Sequence, residues 1–238
     1  MFTVTGAWAG LSSSTTVPWL VARVTWGCGT VNVADSSTEP DGLRASTVSV
    51  PGTMGVQLLV KAGYEKNTTE VAAAVKAIAA AAPQAVIMVS NTAASSEFLK
   101  QSRAAGNLAQ FVTISVTDGP QVAQKIGNEA AKGLAITQVV PDPNNRSTPL
   151  IREVQEAFDK FKPKDVTLNH TFIEGYVGAK ILGEGLRRAG ANPSRQKLRD
   201  TLEQLKDYDV GGQYVGFSAG NHVGMSYVDI TILNKEGK

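Results

Sequence analysis

The segment Ala85-Val86-Ile87-Met88-Val89 is apolar at every position. A half-exposed strand would alternate apolar and polar residues. A strand with no polar face must be covered on both sides, the condition of a strand inside a parallel sheet. Its flanks agree. Asn67 and Glu70 stand at capping-box spacing and are read as a helix start, with Asn67 as the cap. Val71, Ala72, Val75, Ile78 and Ala79 then form a helical stripe that Pro83 stops. Ser95-Ser96-Glu97 is read as the start of a second helix through Phe98, Leu99 and Arg103, with Gly106 after it. Gln110 to Val116 reads as a strand, Gly119-Pro120 as the opening of a third helix, and Gly133 to Val140 as a further strand. With Gln57 to Ala62 as a first strand, residues 57–140 are expected to be an α/β lobe, a parallel sheet with helices on both faces.

The other regions read differently. Residues 1–56 contain no lysine, hold Trp8, Trp19 and Trp26, and show no helical period, so poor order and few contacts to the core are expected there. Val21 to Val33 has the composition of one or two strands. Residues 141–147 begin Pro-Asp-Pro-Asn-Asn and read as a stiff connector. Residues 148–208 are three successive amphipathic helices. The first is capped by Ser147, with Leu150, Val154, Phe158 and Phe161 inward. The second, Thr171 to Ala189, has Phe172, Tyr176, Ala179, Leu182 and Leu186 inward. The third is capped by Ser194, with Leu198, Leu202 and Leu205 inward. An unmatched apolar patch over Leu150, Val154, Leu182 and Leu198 is expected. Residues 209–238 read as a terminal hairpin of Gln213–Phe217 with Met225–Asn234, in which Val228, Ile230 and Ile232 share a face.

Composition narrows function more by exclusion than by assignment. With 23 basic and 21 acidic residues the net charge is +2, which gives no electrostatic case for nucleic acid or an anionic membrane. His170, His222 and the single Cys28 are too far apart in sequence to suggest a metal site, and no phosphate-cradling glycine motif occurs, so no cofactor is expected. Nothing approaches the roughly 18 apolar residues of a membrane span. Met1 to Leu20 lacks the basic start and unbroken apolar core of a secretion signal. Gly216-Phe217-Ser218-Ala219-Gly220 fits the serine-hydrolase elbow in spacing. That elbow needs a helix after the serine, and here the sequence continues as a strand, so a hairpin loop is the simpler reading and no enzyme is expected. Three glycosylation sequons, at Asn67, Asn145 and Asn169, are explained by capping or chance.

Several segments, taken collinearly, carry a resemblance. They are Tyr64-Glu65-Lys66-Asn67-Thr68-Thr69, Ala85 to Val89, Phe98 to Gly106, Gln138-Val139-Val140-Pro141-Asp142-Pro143, Glu174 to Ala179, and Leu186-Arg187-Arg188-Ala189-Gly190. From about Leu59 onward the chain resembles the leucine-binding group of periplasmic substrate-binding proteins of ABC importers. These have the type I fold of two lobes, roughly 150 residues each. The resemblance implies that residues 57–140 are the second lobe and the Pro-Asp-Pro connector a hinge strand. It also implies that 148–208 are helices of a first lobe whose sheet is largely missing, and that the terminal hairpin returns to the second lobe. It further implies solute binding without catalysis, a small polar ligand such as an amino acid or related compound, a membrane permease as partner, and a periplasmic location. A ligand-sensing module of a receptor or regulator with the same fold is the alternative.

In such a lobe, ligands meet the loops at the carboxyl ends of the strands. Those loops are Ser90-Asn91-Thr92 and Ser115-Val116-Thr117-Asp118, which gives Asn91, Thr92, Ser115, Thr117 and Asp118 as candidate contacts. Capping and loop solvation explain the same residue types. Leucine-type binders place an aromatic ring where this chain has Asn91, and an acidic residue near Ser115; both departures count against a branched-chain amino acid. From the other lobe the resemblance offers Thr171, Phe172 and Glu174, whose simpler roles are an N-cap, a core residue and a first-turn charge.

Overall fold

A computed structural model describes residues 57–238 and, ahead of them, the three strands Thr16–Arg23 (β1), Asn32–Asp35 (β2) and Ser46–Ser49 (β3). The expectation for residues 1–56 otherwise falls outside the described residues. Strands β2 and β3 pair with each other antiparallel. The chain divides into two compact units: unit 1 runs to Thr137 and takes in Ile230–Lys238, and unit 2 is Gln138–Asp229.

Unit 1 is a six-stranded sheet flanked by helices. In chain order it contains β4 (Gln57–Glu65), α1 (Ala72–Ala81), β5 (Ala85–Ile87), α2 (Thr92–Ala104), β6 (Gln110–Ile114), α3 (Gly119–Ile126), the short α4 (Asn128–Ala131), β7 (Ala135–Gln138) and, from the end of the chain, β10 (Asp229–Ile232). The strand order is β10-β7-β6-β5-β1-β4. β5 pairs with β6 in parallel (Ala85 opposite Gln110), and β6 with β7 (Val112 opposite Ala135). The apolar sequence of β5 has the reason given above: Val86 and Met88 are fully buried, and every residue of β7 is buried too. The two-sided core joins Ile78, Phe98, Leu99, Phe111, Leu134 and Ile136. Phe98 and Phe111 meet edge to face, centroids 6.2 Å apart, and each large side chain contributes about 1.5–3 kcal/mol by its burial.

One departure from a purely parallel sheet has a topological cause. The β4–α1–β5 crossover skips one strand place. An empty place there would leave the backbone polar groups of two facing edges without partners. β1 fills it, antiparallel to both neighbours, with Thr16 opposite Glu65 and Leu20 opposite Ile87.

Helix starts also differ from expectation. Asn67 caps nothing: it sits in a turn at φ 64°, and α1 begins after Val71 with no side-chain cap. The hydroxyl of Thr68 donates to the Glu65 carbonyl instead (2.7 Å), which closes that turn before the helix can start. α2 begins at Thr92 rather than Ser95, because Asn91 accepts from the Ala94 amide at 3.0 Å and caps it one turn earlier.

Unit 2 packs α5 (Pro149–Phe161), α6 (His170–Ala189) and α7 (Arg195–Glu203) with a small antiparallel pair, β8 (Tyr208–Asp209) and β9 (Tyr214–Val215). Its core is Val140, Leu150, Ile151, Val154, Ile173, Val177, Leu205, Val210 and Val215. Leu150 and Val154 are inward as expected, and Ser194 caps α7; Phe161 is 76% exposed, against expectation. Ser147 does not cap α5, since its hydroxyl donates to Asn145 Oδ1 at 2.6 Å. α6 is turned by about one position. It buries Ile173, Val177, Gly185 and Ala189, and leaves Leu182 47% and Leu186 40% exposed. Gly185 sets that rotation: a Cβ there would lie 2.7 Å from Leu202, so the small residue seats α7. The expected patch therefore shrinks to Leu182 and its neighbours on α6. The expected terminal hairpin is also replaced, since Tyr214–Val215 pairs with β8 while Asp229–Ile232 joins β7. Ile230 and Ile232 are exposed, and Leu233 is the buried residue of that segment.

Candidate functional site

The parallel strands β5 and β6 end side by side, so the loops leaving them form one rim. Two hydrogen bonds from Thr92 fasten them. Its hydroxyl accepts from the Asp118 amide at 2.9 Å and donates to the Val116 carbonyl at 3.4 Å. The loop residues named from sequence are thus brought together, but their tasks divide. Asn91 uses its side-chain oxygen on α2. Asp118 uses its carboxylate on the Gln121 amide, 2.9 Å away, as the cap of α3. Thr117 is 1% exposed and points into the unit, so its candidacy as a ligand contact is corrected. Ser115 is half-buried at the rim and Asn91 is exposed. The rim therefore presents the N-termini of two helices, with the carboxylate of Asp118 engaged as a cap.

Beneath the rim lies a chain of hydroxyls that the sequence reading missed. Ser90 Oγ is 2.5 Å from Ser95 Oγ, which is 3.1 Å from Thr117 Oγ1, which is 3.0 Å from Thr113 Oγ1. Thr117 also donates to the Ser90 carbonyl at 3.0 Å. Tyr64 hydrogen-bonds to Ser90; burial pushes its phenol up from the ordinary value, and Ser90 works against that. A signal existed in the sequence: polar residues close two otherwise apolar strands, and Ser95 follows within the next helix.

Thr171, Phe172 and Glu174 lie in unit 2, in the first turns of α6. Asn169, not Thr171, caps that helix, accepting from the Phe172 amide at 2.9 Å. Phe172 packs edge to face on Phe158, centroids 5.2 Å apart, which is a core role. Glu174 is half-buried. A further polar cluster crosses α5 and α6: Glu153 accepts from Tyr176 at 2.8 Å and pairs with Lys180 at 2.5 Å, and Lys180 also donates to the Val210 carbonyl. Burial and the Glu153 hydrogen bond push the Tyr176 phenol up to about 12. Burial alone would raise the Glu153 carboxyl, but Lys180 and Tyr176 outweigh it and hold it below the ordinary value.

Other chemistry finds no support. Ser218 lies in a turn bridged to Asn221, and among the described residues no helix follows it. His222 does meet a carboxylate, Glu203 at 3.1 Å, yet no hydrogen bond joins it to Ser218. Among the described residues no cluster of three metal-ligating side chains occurs, and no helix is long and apolar enough to cross a membrane. A surface pocket of about 240 Å³ between Thr69, Ser96, Lys100 and Lys125 falls below the usual 300–1,000 Å³ of ligand sites.

Comparison with known proteins gives a consistent picture. The family described as periplasmic binding protein matches residues 1–238. No curated protein matches. A substrate-binding periplasmic protein from Ralstonia solanacearum is 35% identical, with a TM-score of 0.67, over 73% of this chain and 50% of its own. A possible leucine/isoleucine/valine-binding protein from Rhodopirellula baltica is 27% identical, with a TM-score of 0.65, over 73% and 47%. A fatty acid ABC transporter substrate-binding protein from Thermomonospora curvata, 20% identical over 69% and 43% with a TM-score of 0.57, shares the fold. The chain spans about half the length of these structures.

Proposed function

The chain belongs to the periplasmic binding protein family, and from that premise we propose that it binds a small polar solute, without chemistry, for an ABC-type permease in the periplasm. The observation that supports a site in unit 1 is the fastened pair of loops, Ser90–Thr92 and Ser115–Asp118, at the carboxyl ends of adjacent parallel strands. There the N-terminus of α2 offers main-chain N–H groups and the positive end of its dipole, whereas α3 is capped by Asp118 and has Pro120, without an N–H, in its first turn. Such a rim favours a carboxylate or another anionic oxygen. Asp118 spends one oxygen on the cap of α3, so the rim's donors for an anion are those of α2. The fold by itself does not choose the ligand: structures with this fold carry names as different as leucine/isoleucine/valine-binding and fatty acid-binding.

The test separates the two ends of an amino acid. The chain is titrated with leucine, with 4-methylpentanoate, which lacks the ammonium, and with 3-methylbutylamine, which lacks the carboxylate, while the amide resonances of Asn91–Ala94, Asp118, Gly119 and Gln121 are followed. Both carboxylates should shift these resonances with similar apparent affinity, and the amine should not. Shifts with the amine alone would refute the reading.

A further inference from the structure

The hydroxyl chain under the rim has a direction, and proton counting supplies it. Thr117 Oγ1 gives its one hydrogen to the Ser90 carbonyl, so it can only accept from Ser95 and from Thr113. Ser95, having donated to Thr117, must accept from Ser90. Ser90 is therefore the donor of the 2.5 Å bond to Ser95. The run therefore goes Ser90 to Ser95 to Thr117 and closes on the main chain of Ser90, the residue it started from. Exposures of 5% for Ser90, 0% for Ser95 and Thr113 and 1% for Thr117 leave no room for water to replace any member. In so dry a setting each bond is electrostatically strong, and each unmade one is costly. One end of the chain holds the loop after β5 and the other holds the loop after β6.

We infer that Ser95 and Thr117 are positioning residues for the rim: their hydroxyl chain locks the Ser90–Thr92 and Ser115–Asp118 loops together, so that a ligand meets main-chain N–H groups set in advance. This rests on the reading of the rim as a ligand contact. Neither touches the ligand. Their effect is that the ordering cost of two loops is met during folding rather than during binding.

The experiment compares Thr117→Val, which keeps the shape and removes the hydroxyl, with Thr117→Ser, which keeps the hydroxyl. Amide hydrogen exchange is read on the full chain. In T117V the amides of Asn91–Ala94, Asp118, Gly119 and Gln121 should exchange at least about tenfold faster, the factor one buried unpaired polar group supplies. The amides of α1, in the same unit, should keep their wild-type rates, and T117S should behave as wild type. Equal acceleration through α1 and the rim, or none at the rim, overturns the inference. If T117V does not fold, Ser95→Ala removes the donor to Thr117 and should give the same local pattern, with the same outcomes against it. A second arm titrates 4-methylpentanoate: the rim shifts seen in wild type and T117S should weaken in T117V, and shifts undiminished in T117V count against the lock. If wild type shows no shifts, the binding reading fails while the exchange arm still decides whether the loops are locked.

Discussion

Asn91 is where a cap and a ligand contact make opposite predictions, and two substitutions distinguish them. Its side-chain oxygen accepts from the Ala94 amide at 3.0 Å at the start of α2. Asn91→Ala removes that acceptor and should cost about 1 kcal/mol, the usual value for a lost N-cap. α2 is pinned through Phe98 and Leu99, both 0% exposed, so it cannot fray far on its own and the loss should appear in the stability of unit 1 as a whole. For a domain of this size, 1 kcal/mol corresponds to a fall in Tm of roughly 2–4 °C. Asn91→Asp keeps the acceptor and places a negative charge at a helix N-terminus, which is worth about 0.3–1 kcal/mol in the stabilising direction. Denaturant melts of the three proteins, with tryptophan fluorescence and circular dichroism in parallel, provide the measurement. The expected order of stability is Asp at or above Asn, and both above Ala. The same Asp should weaken carboxylate binding at the rim by like-charge repulsion, so stability and affinity move in opposite directions. An Asn91→Asp protein less stable than Asn91→Ala would refute the capping geometry.

Three further outcomes follow from geometry already described. Gly211→Ala should destabilise unit 2 by about 3–5 kcal/mol, because Gly211 sits at φ 118° and an added Cβ would lie 2.7 Å from the Leu150 backbone; a calorimetric scan within 1 °C of wild type would contradict this. Tyr176, with its phenol raised to about 12, favours the protonated form when folded, so its contribution is complete below the ordinary tyrosine value of about 10 and is lost as pH rises from there toward 12. Absorbance at 295 nm should show one tyrosine ionising late that is lost in Tyr176→Phe, and simultaneous ionisation of all five tyrosines would count against it. Leucine should bind this chain no better than millimolar. Two or three rim hydrogen bonds at about 0.5–1.5 kcal/mol each barely offset the association cost, and a micromolar constant from calorimetry on monodisperse monomer would show a pocket richer than the rim.

What could be read from the sequence depended on whether the signal was local. The strand at Ala85–Ile87 was legible because burial on both faces writes an apolar residue at each position. The loops of the rim were legible because they must follow those strands. The use of Asn91 and Asp118 was not: an oxygen that caps a helix and one that meets a ligand call for the same residue types. Asn67 misled for a related reason, since a capping-box spacing does not reveal that the backbone is at φ 64°. α6 offered two apolar stripes of comparable strength, and only the fit of Gly185 against Leu202 selects between them. The partner of Asp229–Ile232 is β7, more than ninety positions away by the Thr231–Ile136 contact, and alternation within a strand says nothing about its neighbour.

The return of β10 to the edge of unit 1 also sets an order of assembly. Ribosomes deliver the chain from its N-terminus, so Gln138–Asp229 is complete in sequence before the last sheet place beside β7 can be filled. During that interval β7 carries a row of open N–H and C=O groups, a template for pairing with any other nascent strand. The entropic cost of closing so long a loop grows only slowly with its length, by about 0.6 kcal/mol per doubling. What the long interruption lengthens is therefore the waiting time rather than the final energy. Released chains truncated just short of Asp229 should have unit 2 protected from protease while β7 is still open to capture.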